Sequence, residues 1–159
     1  MAIHFSSPSS RLLLVEPERR LQLALAAASA SLAEVEIFES FMDARARLVA
    51  ARFNLVVANL RLGPYNGIHL AYEVHLSGVS AHVVVHASER DAVAARDIQR
   101  AGAFFERTER LSVTLPAYLQ AASLPAFDRR DSARFDRRRQ TRGGRRAWDK
   151  RPSDGNSKA

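Results

Sequence analysis

A short apolar run that ends in a polar residue and two turns constrains this sequence most. Residues Leu55 to Ala58 are all apolar, with two valines at the centre. The run is too short for an independent helix, so it predicts a strand buried on both faces, as in a parallel sheet covered by helices. Asn59 ends the run, and the turn dipeptides Gly63-Pro64 and Asn66-Gly67 follow. Because α/β sheets place their ligand crevice at the carboxyl ends of the strands, Asn59 lies where a reacting group would be expected. A carboxamide, however, is a poor nucleophile.

Strand-like and helix-like segments alternate on both sides of this run. The predicted strands cover residues 11–15, 35–38, 55–58, 82–86 and 103–105. Five helices are predicted between and after these strands. The first follows Pro17, the second spans 41–51 and the third begins at Gly67. The fourth runs from a capping box at Ser88–Asp91 to Ala101, and the fifth covers about 112–122 with Pro116 in its opening turns. Parallel neighbours need a long connection, so this alternation predicts an α/β fold with a five-stranded parallel sheet.

The positive charge of the chain is confined to its last part. The net charge is +7, yet residues 1–125 contain 12 Lys+Arg and 12 Asp+Glu, whereas residues 126–159 contain 12 and 5. A segment with high charge and few aliphatic residues cannot offset the entropy of ordering. We therefore predict a flexible N-terminus at residues 1–10, a folded domain at 11–123 and a disordered Arg-rich tail at 124–159.

Several classes of function are disfavoured by what the sequence lacks. The absence of cysteine excludes disulfides, thiolate catalysis and Cys-based zinc sites. No apolar run approaches the roughly 20 residues that span a bilayer, and residues 1–10 do not look like a secretory signal, so we expect a cytoplasmic protein without a membrane role. His69 and His75 are six residues apart on one helix, which is not the spacing of a helical pair of metal ligands. His82 and His86 lie too far apart along one strand to bind one metal ion. No metal or cofactor is predicted, and without a nucleophilic serine motif or a phosphate-binding glycine loop we expect no enzyme.

Four segments occur in the order and with the gaps of a known family. They are Leu12–Glu18, Asn54–Leu62 with Asn66-Gly67 after it, Val83–Ser88, and Ala101–Ala103. Over residues 11–122 they resemble the receiver domain of bacterial two-component response regulators. The resemblance implies a flavodoxin-like (βα)5 fold, a doubly wound sheet with strand order 2-1-3-4-5.

The resemblance also implies a phosphoryl-transfer site at the strand ends. In the family, an aspartate after the third strand accepts the phosphoryl group and two acids after the first strand help hold Mg²⁺. A Ser/Thr after the fourth strand and a Lys after the fifth read the phosphorylated state. The matching positions here are Asn59 for the acceptor, Glu16 and Pro17 for the acids, His86 for the hydroxyl and Glu109 for the lysine. Every part of the site is altered.

These departures predict a degenerate, stand-alone pseudo-receiver that acts by protein–protein contact without phosphorylation at Asn59. By resemblance, its partner is a histidine kinase or a regulator, and residues 90–122 form the candidate interface, which could also support a homodimer. A conventional regulator phosphorylated at another residue is a further alternative.

The sequence leaves two features of the predicted site open. Glu16, His86 and Glu109 could converge into a polar cluster in which the histidine acts as a switch near neutral pH. Alternatively, His86 simply caps a buried strand with its ring nitrogens satisfied. The register of the fifth strand is open as well, because the aromatic residue that the family keeps three positions before its lysine falls on Glu106.

The tail supports a second hypothesis, a module that binds RNA or DNA non-specifically. Arginine with glycine and interleaved aromatic residues suits phosphate contact together with base stacking. The candidate contacts are Arg137, Arg138, Arg139, Arg142, Arg145, Arg146 and Trp148. The alternative is a solvated extension without a partner.

Overall fold

The computed structural model describes residues 10–123 of this chain. The chain divides into two units, residues 1–125 and 126–159, and the described residues belong to the first. The predictions for residues 1–9 and for the tail lie outside the described residues. Five strands form the main sheet: β1 (Ser10–Val15), β2 (Ala33–Phe38), β3 (Leu55–Asn59), β4 (His82–Ala87) and β5 (Phe104–Arg107).

All five strands are parallel, in the order β2-β1-β3-β4-β5. The predicted flavodoxin-like α/β fold is therefore confirmed. In β5, Phe104 lies opposite Val84 and Glu106 lies opposite His86, so the register of this strand is now defined. The connection after β3 contains a short antiparallel hairpin of Arg61–Leu62 and Tyr65–Asn66.

Five helices connect or follow the strands: α1 (Arg19–Ser29), α2 (Phe41–Ala50), α3 (Gly67–Leu76), α4 (Ala92–Arg100) and α5 (Thr108–Ser123). Three of them begin at side-chain caps, because Ser40, Asn66 and Asp91 each accept hydrogen bonds from backbone N–H groups in the first turn. None of the helices among the described residues is long and apolar enough to cross a membrane.

Two predicted helix starts are wrong. The N-cap of α4 is Asp91 and not Ser88, because the Asp91 carboxylate accepts from two backbone N–H groups, at 2.8 and 3.2 Å. The last helix begins at Thr108, before the predicted start, and Pro116 lies in its interior. A proline normally disfavours this position, but Leu111, Leu115 and Leu119 form a buried stripe at i, i+4 and i+8 that holds the helix against the sheet.

The sheet separates two apolar cores. Alternate residues along each strand point to opposite faces, so Leu12 and Leu14 pack with α1 and α5, while Leu13 and Val15 pack with α2, α3 and α4. Strand β3 is buried on both faces from Leu55 to Ala58. The polarity at its end therefore determines what lies at the carboxyl edge of the sheet.

Candidate functional site

Three polar side chains meet at the carboxyl edge of the sheet. Glu16 directly follows β1, Asn59 is the last residue of β3, and His86 is the penultimate residue of β4. Both β1 and β4 pair with β3, and His86 lies opposite Asn59 in the register. Glu16 and His86 are fully buried. The sheet thus brings together the residues assigned above to the acid, acceptor and hydroxyl positions.

The carboxylate of Glu16 is the common partner in this cluster. Nδ2 of Asn59 donates to both carboxylate oxygens, at 3.2 Å to Oε1 and 3.0 Å to Oε2. The backbone N–H of Glu18 also donates to Oε1, at 2.8 Å. Gln22, which is buried in α1, donates from Nε2 to the backbone oxygen of Glu16 at 2.7 Å. Both carboxylate oxygens are therefore already engaged within the protein.

His86 bridges this carboxylate and the start of α5. Its Nε2 lies 3.1 Å from Oε2 of Glu16, and its Nδ1 lies 3.0 Å from Oγ1 of Thr108. The contact with Glu16 is short but does not have the alignment of a hydrogen bond. The imidazole ring thus connects β1, β4 and α5 inside the fold.

The pKa of Glu16 lies below its ordinary value. Burial is the largest influence and raises this pKa, but the contact with His86, the N–H of Glu18 and the amide of Asn59 together lower it further. Glu16 is therefore ionised at neutral pH. Because the pKa is depressed in the folded state, Glu16 stabilises the fold above its unfolded pKa, and this stabilisation is lost as the pH falls through the folded pKa.

The other end of the Asn59 side chain holds the loop that follows β3. Its Oδ1 accepts from the backbone N–H of Arg61 at 2.9 Å. The backbone N–H of Leu60 donates to the carbonyl oxygen of His86 at 2.8 Å, and that of Gly67 donates to the carbonyl oxygen of Leu60 at 3.2 Å. A Cβ atom at Gly67 would lie 2.7 Å from the carbonyl oxygen of Asn59, so only glycine allows this close approach. Asn59 is thus a structural link at both ends.

Comparison with known proteins finds solved structures that share the fold of this chain. No family model and no curated protein matches the sequence. Solved structures do match. The signal receiver domain of a Luxo repressor protein from Vibrio parahaemolyticus is 18% identical, with a TM-score of 0.64, over 71% of this chain and 92% of that chain. The signal receiver domain of the response regulator NarL from Mycobacterium tuberculosis is 13% identical, with a TM-score of 0.66, over 75% and 100%. HP1043, an orphan response regulator of H. pylori, is 16% identical, with a TM-score of 0.62, over 72% and 99%.

The chain has the fold of a response-regulator receiver domain. Within this receiver fold, the two remaining predicted positions lie at the surface. Pro17 is exposed, and Glu18, which is also exposed, donates its backbone N–H to Glu16. Glu109 lies in the first turn of α5, and its carboxylate pairs with Nη2 of Arg107 at 2.8 Å.

Thr108 is the site residue that sequence reasoning missed. Its hydroxyl group contacts His86, whereas the sequence had offered Glu109 for the polar cluster. The error follows from the predicted start of α5, which left Thr108 in a loop. The spacing of Leu111, Leu115 and Leu119 is a signal that could have moved the start of the helix to Thr108.

A second carboxylate is buried beside the cluster, on β5. Glu106 is 9% exposed, and its Oε1 accepts from the backbone N–H of Arg107 at 2.9 Å. The hydroxyl group of Tyr118, in α5, donates to Oε2 at 3.4 Å. Burial, followed by the nearby charge and hydrogen bond of Glu106, raises the pKa of Tyr118. A buried carboxylate on β5 and a phenol group on α5 are thus partners.

The other three histidines within residues 10–123 belong to other local structures. Within residues 10–123, no group of three or more His, Asp and Glu residues is arranged to hold a metal ion. The ring of His82 stacks on Phe104 with 6.4 Å between centroids, His69 caps α3, and His75 lies in the last turn of that helix. The candidate nucleic-acid residues of the tail, Arg137 to Trp148, are outside the described residues.

Proposed function

We propose that this chain is a cytoplasmic, non-catalytic pseudo-receiver of two-component signalling that acts by protein–protein contact without phosphorylation at Asn59. The observation that carries this proposal is the series of contacts that runs from Asn59 through Glu16 and His86 to Thr108. The receiver fold supplies the signalling context as an analogy. At its carboxyl edge, the Asn59 amide and the Glu16 carboxylate are occupied by contacts within the protein.

The residues present do not fit the Mg²⁺ ion that receiver chemistry requires. Magnesium needs oxygen ligands in a near-octahedral array at about 2.0–2.1 Å. Glu16 is the buried acid at the end of β1, but its oxygens already accept from Asn59 and Glu18. The neighbouring Pro17 provides no side-chain oxygen, and the amide of Asn59 turns its nitrogen, not its oxygen, toward Glu16.

The position that the resemblance gives to lysine also lacks a cation. A transferring phosphoryl group requires positive charge around its oxygens. The lysine position is occupied by Glu109, whose carboxylate would repel such a group. Asn59 has no carboxylate and cannot form an acyl phosphate. Asn59 ends β3 and Glu109 lies in the first turn of α5, so these two features belong to different elements and both oppose the same reaction.

Incubation with a small phosphodonor and Mg²⁺, followed by intact-mass measurement, tests this proposal. We expect no stoichiometric phosphoryl adduct on the full chain, with a conventional receiver treated in parallel as the positive control. A hydroxylamine-labile adduct that maps to the carboxyl-edge cluster would refute the proposal. A stable adduct that maps elsewhere would instead support a regulator phosphorylated at another residue.

The surface formed by residues 90–122 supports contact with a protein partner or a second copy. It presents three large apolar side chains to solvent: Val93, Phe104 and Val113 are 69%, 50% and 80% exposed. We expect Val113→Glu to weaken self-association measured by sedimentation. Val49→Glu is the matched control, because Val49 is 75% exposed on α2, outside this surface. A monomer at every concentration would refute the homodimer, and equal effects of both substitutions would refute the choice of surface.

The tail provides the observation that favours a second candidate function, non-specific binding to RNA or DNA. Residues 126–159 hold the whole excess of positive charge, with arginines beside Phe127, Phe135 and Trp148. We expect binding to a mixed oligonucleotide that weakens steeply with salt and disappears when residues 126–159 are removed. If the full-length and truncated chains bind equally weakly, this function is refuted. Trp148→Ala separates stacking from charge, since it leaves every arginine in place.

A further inference from the structure

The ring of His69 contacts two aromatic side chains next to the loop between β3 and α3. The rings of Phe41 and Tyr65 stack with 4.4 Å between their centroids. The imidazole of His69 meets both of them edge-on, at 6.0 and 5.9 Å. Phe41 begins α2, Tyr65 belongs to the hairpin and His69 belongs to α3. Three elements therefore meet at the His69 ring.

The same histidine closes a capping box at the start of α3. Oδ1 of Asn66 accepts from the backbone N–H groups of Ile68 and His69, at 3.0 and 3.3 Å. In return, Nδ1 of His69 accepts from the backbone N–H of Asn66 at 3.1 Å. Glu or Gln usually occupies this third helical position, because either provides an acceptor oxygen. Here the acceptor is a ring nitrogen, which accepts only while it carries no proton.

We propose that His69 is an acid-sensitive latch of the β3–α3 loop. A proton on Nδ1 turns the acceptor into a donor, so that two N–H groups face each other and the N–H of Asn66 loses its partner. The added positive charge lies at the N-terminus of α3, where the helix dipole disfavours cations. Both effects open the capping box, and histidine is the side chain whose charge changes between about pH 5 and 8.

The charged and titratable neighbours of His69 do not override this effect. On α2, Arg45 faces the same groove, and Glu73 lies four residues further along α3. These two side chains form an ion pair with each other at 2.9 Å, so their influences on a charged imidazole oppose each other. The phenol groups of Tyr65 and Tyr72 also line the groove.

The latch acts on the segment that leaves the carboxyl-edge cluster. The loop begins directly after Asn59, and Leu60 connects it to both β4 and Gly67 through backbone hydrogen bonds. Asn66 directly follows Tyr65, whose ring packs on Phe41, so opening at Asn66 acts next to the contact between the hairpin and α2. This inference is independent of the proposed function, because it requires nothing of the phosphorylation state of Asn59.

Nuclear magnetic resonance of the full chain tests the latch directly. The ¹⁵N shifts of the His69 ring should show a bare Nδ1 near neutral pH. The hydrogen-exchange protection factor of the Asn66 amide, corrected for the intrinsic rate, should fall by about fivefold from about pH 7.5 to 5.5. This factor corresponds to the stability that a typical N-cap contributes to a helix. The fall should follow the protonation of His69.

Two variants provide matched controls. His69→Gln keeps an acceptor at the third helical position but does not titrate, so the protection of the Asn66 amide should become independent of pH. His75→Gln removes a histidine from the last turn of the same helix and should leave the pH response unchanged. A protonated Nδ1 in the neutral wild-type protein, or an Asn66 amide that is unaffected while His69 titrates, would refute the latch. The ¹⁵N measurement of the His69 ring tests the proposal in the wild-type chain even if a variant fails to fold.

Discussion

Replacing Asn59 with Asp would put a second carboxylate against Glu16. The replaced nitrogen lies 3.0 Å from Oε2 of Glu16, and two unit charges at this distance repel by about 5 kcal/mol at an effective dielectric constant of about 20. The pair can avoid this repulsion by binding one proton. At about pH 7.5, protonating a carboxyl group of ordinary pKa costs about 4 kcal/mol. We therefore expect Asn59→Asp to lower the free energy of unfolding by about 2–4 kcal/mol at this pH.

The sign of the pH dependence distinguishes repulsion from a simple loss of packing. In the variant, the carboxyl pair binds a proton more tightly in the folded than in the unfolded state, so its folded pKa is raised. The corresponding stability is present at low pH and is lost as the pH rises. At about pH 5 the protonation costs only about 1 kcal/mol, and the destabilisation should shrink accordingly. A packing defect would give the same loss at both pH values.

Urea unfolding of the wild type and three variants at both pH values measures these effects. Asn59→Ala removes the amide without adding charge and should show a loss that changes little with pH. The double variant Glu16→Gln with Asn59→Asp exchanges the amide and the carboxylate, and should recover more than half of the loss. Equal stability of Asn59→Asp and the wild type at about pH 7.5 would show that the two side chains do not face each other as described.

Three further changes test other parts of the site. Thr108→Val removes the hydroxyl partner of the buried imidazole and should cost about 1–3 kcal/mol in urea unfolding. Thr114→Val is its control on the same helix, and equal losses would contradict the role of Thr108. Gly67→Ala would place a Cβ atom 2.7 Å from a backbone oxygen, and we expect a loss of about 2 kcal/mol or more in thermal unfolding; an unchanged midpoint would contradict the close approach. Glu106→Gln should lower the alkaline midpoint of Tyr118 in a spectrophotometric titration, and an unchanged midpoint would contradict their contact.

Much of the fold could be predicted because its signals are local. The apolar run that forms β3 and the β-branched centre of β4 identify buried strands without reference to the rest of the chain. The start of α4 was harder to predict, because Ser88 and Asp91 are both suitable N-caps by type. Only the path of the backbone after β4 decides that the Asp91 side chain reaches the free N–H groups. Residues at element ends are therefore the least predictable.

The alternation of strands and helices along the chain was enough to predict Glu16, Asn59 and His86 at one edge of the sheet, because the carboxyl ends of parallel strands share that edge. It could not determine their partners. Asn59 and Glu16 are 43 residues apart, and His86 and Thr108 are 22 apart. The start of α5, about one helical turn before its predicted position, decides that Thr108 and not Glu109 meets the imidazole. Hydrogen bonds depend on distances of tenths of an ångström, and these are set by how the layers pack, which no local pattern encodes.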